Sequence, residues 1–316
     1  MFFRNLIAFN LPAGWAMTPA ALEEALSAQP LTPCAGQNLQ SRGWVPPTAS
    51  GQLVRSVEKQ YVIALGTEQK LLPGKVVKQH AAERAAQVEQ VKGYKPGGKM
   101  MREIKDQVIL ELLPRAFVQR GSLRAWLDTQ HGFLCVDTAS PAKAEELVEM
   151  LRNTLNGELA VTLPEPAQSP SSLMTGWLAA GAAPGRFALG ESCRLIGTDA
   201  SKPTVAYTRH GLVGEDVRRH ITEGKFATEV ALVWNEAISF ILTDKLHLKR
   251  LAFLTVREEQ SDHPEEQIDV DLTLMAGELA LLLADLHQVI GAKRPEAHER
   301  ARCDVLMTAE DLGATT

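Results

Sequence analysis

The chain has 316 residues, 45% of them apolar, with 33 Lys and Arg against 38 Asp and Glu, for a formal net charge of -5. That length allows two domains, or one large domain with lobes and a sizeable core. No run of 18 apolar residues occurs, so no transmembrane helix is expected.

The start, Met1-Phe2-Phe3-Arg4-Asn5-Leu6, lacks the basic region, long apolar run and cleavage site of a signal peptide. Phe3, Leu6, Ile7, Phe9 and Leu11 read instead as a first strand. Thr18 then suits an N-cap and Pro19 the first helical position, with Leu22 and Leu26 opening an apolar stripe. Gly43-Trp44-Val45-Pro46-Pro47 is expected to be extended, since proline pushes its predecessor away from helix. Residues 53–65 predict a hairpin turning near Glu58-Lys59.

Residues 70–120 stand apart in charge. They hold eleven Lys and Arg (Lys70, Lys75, Lys78, Arg84, Lys92, Lys95, Lys99, Arg102, Lys105, Arg115, Arg120) against five Asp and Glu, a net of +6 in an acidic chain. Such a segment suits a localised anion-binding surface, and nucleic acid is the polymer that best exploits many modest phosphate contacts. An ordinary solvated pair of charged helices has the same composition. Helical spacing of Val77, Ala81, Ala85 and Val88 predicts a helix over 74–91. A glycine-rich link at 93–98 leads to a second helix over 99–113, with Met101, Ile104, Val108, Leu112 and Leu113 inward and Pro114 as its stop.

Strands are expected at 124–128 and 133–137, a helix from Ser140-Pro141 to Leu155, and a strand at 159–163. Residues 164–170 are the linker candidate. Beyond it come a short helix around Trp177, a loop over 181–190, strands at 204–209, 229–234, 238–242 and 245–255, and a helix over 214–223. The last helix spans 268–290. Leu272, Met275, Leu279, Leu282, Leu286 and Val289 form a stripe broad enough for a subunit interface as well as a core. The tail after Gly291 is polar and expected to be disordered.

Cys34, Cys135, Cys193 and Cys303 are scattered, without a CxxC pair, and read as reduced thiols of a cytoplasmic protein. No P-loop, dinucleotide fingerprint, GxSxG elbow or HExxH pair occurs. Asp128, Asp137 and Asp244 are the carboxylates that could converge from strand ends on a nuclease metal, though no spacing signals it. No cofactor and no metal site are therefore expected, and no catalytic residue is assigned.

The motifs in their order resemble the recombination-associated RdgC proteins of proteobacteria. The likeness rests on Phe3-Arg4-Asn5-Leu6, Thr32-Pro33-Cys34, Gly43-Trp44-Val45-Pro46-Pro47, Lys70-Leu71-Leu72-Pro73 and Val76-Val77-Lys78-Gln79. It continues through Leu112-Leu113-Pro114-Arg115-Ala116-Phe117, Lys249-Arg250-Leu251 and Leu274-Met275-Ala276-Gly277-Glu278-Leu279. The 93–98 loop departs from the lysine-rich helix common there. The resemblance implies a non-catalytic, nucleoid-associated protein that binds duplex DNA with little sequence preference, with single-stranded DNA as a further ligand. It implies a homodimer closed into a ring around a positive hole, and antagonism of RecA. A closed ring of two subunits needs two self-complementary contacts.

The reading is thus an α+β fold with antiparallel sheets and flanking helices, in a multi-lobed, elongated subunit. Residues 1–165 form an N-terminal region with the basic lobe, residues 170–291 a C-terminal region, and 292–316 a tail. Lys75, Lys78, Lys92, Lys95, Lys99, Arg102, Arg115, Arg209 and Lys225 are the expected DNA contacts. Phe117, Leu272, Leu279 and Leu286 are the expected dimer contacts. A metal-dependent DNA-processing enzyme, or a regulator that grips RecA directly, are the alternatives.

Overall fold

A computed structural model describes residues 2–34, 36, 38–255 and 264–292. It is α+β, with two antiparallel sheets and seven α-helices among the described residues. The chain forms two compact units. The first comprises the described residues up to 22, residues 54–62 and the chain from 124 on; the second comprises 23–53 and 63–123. The expected boundary at 164–170 is not where the units divide. That stretch lies inside the first unit, where the Ala167 N–H donates to the Ile290 carbonyl at 3.0 Å.

In the first unit, β1 (Ile7–Asn10) pairs antiparallel with β6 (Phe133–Val136), and β6 with the inner end of β5 (Phe117–Asp128). β3 (Arg55–Val57) pairs with the start of β4 (Gln60–Leu71) around Glu58, whose φ of 53° makes the turn. The expected strand at 159–163 is a single bridge. Only Thr162 exchanges both backbone hydrogen bonds with Asn10, and Pro164 cannot extend the ladder.

A five-stranded sheet completes this unit, in the order β11-β10-β9-β7-β8. Its strands are β7 (Phe187–Gly197), β8 (Thr204–Thr208), β9 (Lys225–Trp234), β10 (Ile238–Thr243) and β11 (Leu248–Phe253). β7 replaces the end of the expected loop. Gly190-Glu191-Ser192 interrupts its alternation, and its pairing with β9 shifts register between Leu189 and Cys193, so a period-two reading misses it. α5 (Pro170–Ala180), α6 (Glu215–Thr222) and α7 (Pro264–Ile290) belong to the same unit, as does the expected helix α4 (Pro141–Thr154). Met174, Trp177 and Val217 from the first two join the leucines of α7 and Leu195, Leu232 and Trp234 of the sheet in one core.

α7 is long and apolar enough, by length and composition, to cross a membrane over Glu266–Ile290. Half of that stretch is buried within this unit, as befits a core helix.

The second unit holds α1's end, β2 (Gln40–Val45), the rest of β4 and the outer part of β5. α1 (Pro19–Ser27) is capped as expected, with the Ala21 N–H donating to Thr18 Oγ1 at 3.2 Å. β2 pairs with β4 from Gln40↔Gln69 to Val45↔Ala64. Gly43 is required there because a Cβ would strike the backbone of Pro30 and Leu31, which runs alongside Trp44.

From β4 the chain passes into α2 (Gly74–Lys92), turns at residues 93–97, and returns as α3 (Gly98–Leu112). Gly93, at φ 74°, caps α2 with its N–H on the Glu89 carbonyl. Leu113–Arg115 form one 3-10 turn around Pro114 before β5 starts. The two helices share a small apolar seam of Val77, Ala81, Ile104 and Val108. Arg84 clasps Glu111 across the hairpin with two bonds of 2.9 and 2.8 Å. That hydrogen bond holds the Glu111 carboxyl below the usual carboxylate range and raises the Arg84 guanidinium.

Because so few side chains hold the hairpin, Ile104→Ala should cost about 3 kcal/mol of local stability. Hydrogen exchange should accelerate over residues 74–112 and stay unchanged in the five-stranded sheet. Uniform acceleration would show the hairpin to be no separate cooperative element.

Candidate nucleic-acid interface

The eleven cations of residues 70–120 do not all remain available to a ligand. Lys70 is only 6% exposed, and its Nζ donates to the Gly36 carbonyl. Arg120 donates from Nε to Glu68 Oε1 at 2.6 Å, while Glu68 Oε2 accepts the Cys34 N–H at 2.9 Å. The Cys34 N–H, then Arg120, keep the buried Glu68 carboxyl below its ordinary 4.5. Arg84 is committed to Glu111. These three cations are therefore tied into the second unit, with only Arg120 of the three largely exposed.

The other eight are exposed: Lys75, Lys78, Lys92, Lys95, Lys99, Arg102, Lys105 and Arg115. Among the described residues none of them has an ion-pair partner within 4 Å. Lys75 and Lys78 lie three apart on α2, and Lys99 and Arg102 three apart on α3, so each pair shares a helix face. Lys92 and Lys95 flank the turn, beside Tyr94, which is half exposed. The apolar seam explains this arrangement. Burying Val77, Ala81, Ile104 and Val108 leaves the long cationic side chains on the solvent side.

Two expected contacts fall in the first unit. Arg209 is exposed, at the end of β8, in a left-handed conformation with φ 53°. Lys225 is less accessible. Its side chain is 14% exposed and donates to Glu223 at 2.9 Å beside His220, so its charge is largely answered within the chain. Proximity to Lys225, and then to His220, lowers the Glu223 carboxyl.

The apolar expectations divide in the same way. Leu272, Leu279 and Leu286 are buried in the first unit's core, which corrects their assignment to a subunit contact. These leucines are on the helix face that both sheets help to cover, where Phe133 of β6 meets the His287 ring edge-on and Trp234 Nε1 of β9 donates to Asp285 at 2.8 Å. The outward apolar residues of α7 are Val270, Leu274 and Leu281, spaced by four and seven. Phe117 is 83% exposed at the first position of β5, so it is no core residue of this chain. Val118, Leu71 and Leu39, from the same unit, are exposed apolar residues as well.

Two of the three aspartates considered for a metal, Asp128 and Asp137, are engaged in building turns and clamps. Asp128 is fully buried, accepting the Gln130 and His131 N–H groups and meeting His131 Nδ1 at 2.7 Å. Asp137 accepts the Arg4 and Asn5 N–H groups and pairs with Arg124 at 3.0 Å. Among the described residues, no group of three His, Cys, Asp or Glu side chains is arranged to hold a metal ion. Cys34, Cys135 and Cys193 are free thiols, and Cys303 lies outside the described residues, as does the expected disordered tail from 293.

Comparison with known proteins bears on these features. Residues 1–293 match a family model described as "Putative exonuclease, RdgC". The chain is 41% identical over 304 residues to "Recombination-associated protein RdgC" of Dechloromonas aromatica (strain RCB), covering 94% of this chain and 100% of the relative. It is 44% identical over 298 residues to the protein of the same name from Cupriavidus pinatubonensis, covering 93% and 99%.

The Glu68 clasp has a pH signature. A carboxyl whose folded pKa is depressed adds stability above its unfolded pKa and loses it as pH falls through the folded value. Melting temperatures of the wild type and Glu68→Gln should differ most near neutrality and converge as pH drops below 4.5. A gap that persists unchanged in acid would mean that the Glu68 charge adds nothing.

Proposed function

The chain belongs to the RdgC family of recombination-associated proteins, and we propose that it is a non-catalytic protein that binds duplex DNA through phosphates. One observation carries this reading: within residues 75–115 of an acidic protein, eight exposed Lys and Arg have no ion-pair partner among the described residues. Phosphate contacts need charge at the right spacing and not the bidentate geometry that reads base edges. Two antiparallel helices joined by a lysine-flanked turn offer such charge along a line. The expected binding is insensitive to sequence, and its place is the nucleoid of the cytoplasm. By occupying DNA the protein restrains RecA.

The same reading includes a homodimer closed into a ring. The exposure of Phe117 supports one contact, since a large apolar side chain in water is costly unless a partner covers it. The outward stripe Val270, Leu274 and Leu281 supports the other, in place of Leu272, Leu279 and Leu286.

A second reading has one observation in its favour, the exonuclease in the family description. Incubating the protein with end-labelled DNA and magnesium, against a chelator control, separates the two. Magnesium-dependent shortening of the DNA would replace the binding-only account. Binding of purified protein to DNA without RecA separates the present reading from a regulator that acts only on RecA.

Two further outcomes are expected. Duplex affinity should fall steeply with salt, with a log-log slope of about -0.9 per phosphate neutralised, and hardly vary among unrelated sequences. Reversing Lys75, Lys78 and Arg102 to Glu should weaken binding and flatten that slope by about 3 while the melting temperature holds, because solvated helix charges add little stability. Normal binding by this variant would move the interface elsewhere.

Phe117→Ala should leave a dimer but loosen the ring, with the loss of a covered Phe weighing on the order of 3 kcal/mol. Dissociation from circular duplex should quicken far more than initial binding changes. Equal dissociation rates would make Phe117 a bystander.

A further inference from the structure

The five-stranded sheet of the first unit carries a second basic feature, outside the helical hairpin. A groove of about 390 Å³ runs across all five strands and is lined by Ser192, Arg194, Tyr207, Thr208, Glu229, Lys249 and Arg250, with Cys193, Ala206 and Ile241 beneath. Glu229 holds two of the cations side by side. Its Oε1 meets Lys249 Nζ at 2.9 Å and its Oε2 meets Arg194 Nε at 3.6 Å. One carboxylate thus positions two cations, and Arg250 adds a third.

The backbone is bent to bring this about. Lys249 and Arg250 are consecutive on β11, and in a regular strand they would point to opposite faces. The β10–β11 register breaks between Ser239 and Ile241: Ser239 faces Ala252, and Ile241 faces Lys249, so β11 contains one extra residue. Arg250 sits in that bulge with a φ of 54°, a left-handed conformation that a residue with a side chain rarely adopts. The result is that both basic side chains line one groove. A second register break, between Leu189 and Cys193 of β7, accompanies Ser192, Cys193 and Arg194 lining it in succession. Bulges of this kind re-aim side chains next to functional sites.

No further negative charge comes from the thiol or phenol of the lining. Burial, then Asp216, pushes the Cys193 thiol up to about 11, and burial raises the Tyr207 hydroxyl too. Asp216 itself pairs with His210 at 3.4 Å. The groove therefore offers three cations, one carboxylate that orients two of them, and the hydroxyls of Ser192 and Thr208.

We propose that this bulge-built groove is a second phosphate-binding site, which takes the sugar-phosphate backbone of a nucleic-acid strand independently of the helical hairpin. Lys249 from β11 and Arg194 from β7 are drawn together at Glu229, with Arg250 beside Lys249, and such a cluster of positive charge suits a backbone phosphate of one strand. The site extends the duplex-binding reading and stands or falls separately from it.

Lysine acetylation read by mass spectrometry distinguishes the two, because each site contains its own lysines. The full-length protein is treated with an amine-reactive ester alone, with a short duplex at low salt, or with inorganic phosphate at the same phosphate concentration. Lys249 should be protected several-fold by duplex, alongside Lys75 and Lys78. Protection of Lys75 and Lys78 with Lys249 reacting at its free rate would overturn this site and leave the duplex reading standing. No protection of any of them would overturn both. Protection of Lys249 by inorganic phosphate and not by duplex would overturn the nucleic-acid assignment.

Arg250→Gly provides a variant that keeps the fold, since glycine suits the left-handed backbone. Its melting temperature should hold, Lys249 protection should fall towards the free rate, and the salt slope should drop by about 0.9 for the cation removed. Full protection of Lys249 in both Arg250→Gly and Arg194→Ala would refute the groove.

Discussion

A small apolar seam carries the basic lobe. Val77 and Ala81 from α2 meet Ile104 and Val108 from α3, and the presentation of cations on either helix depends on that contact. The seam is short, with Ala85, Val88, Met101 and Ile109 packed partly buried around it. Each turn of helix can therefore spend its remaining positions on lysine and arginine. The Arg84–Glu111 clasp adds a polar tie across the hairpin without drawing on the exposed cations. Loss of the seam would scatter the charges even with every lysine in place.

Charge in this protein is segregated by use. Some cations are structural: Lys70 on the Gly36 carbonyl, Arg120 on Glu68, Arg84 on Glu111, Lys225 on Glu223. Each is tied to a partner within the chain, although Arg120 keeps 76% of its side chain exposed. The eight of residues 75–115 that remain exposed are the ones with no such task among the described residues. An acidic chain can thus carry a local positive surface, because net charge governs solubility and long-range repulsion while binding answers to the nearby field. The first unit repeats the principle on a sheet. There one carboxylate, Glu229, aligns Lys249 and Arg194 without neutralising the groove.

The two surfaces differ in how they were made. On α2 and α3 the helical repeat itself separates cation from core, so no special backbone is needed. On β11 the strand repeat would have split Lys249 from Arg250. A bulge with Arg250 left-handed is the local cost of keeping them together. The same contrast explains α7. Its leucines recur often enough to cover more than one face, and the sheet takes Leu272, Leu279 and Leu286 while Val270, Leu274 and Leu281 stay outside.

Much was legible in the sequence because it depends on neighbours along the chain. The Thr18 cap, the Gly93 stop, the hairpin turning at Glu58, the two basic helices and the family resemblance all follow from local spacing and residue type. Only the tertiary structure decided which charges are spare and which apolar faces are covered. Lys70 looks like its neighbours until the Gly36 carbonyl, 34 residues away, takes it, and Leu272, Leu279 and Leu286 look available to a partner until their burial in the core is seen. The strand at Phe187–Gly197 and the groove at Arg250 hid for a related reason: a bulge breaks the period that makes a strand visible, and partners far along the chain, not adjacent residues, determine where it falls.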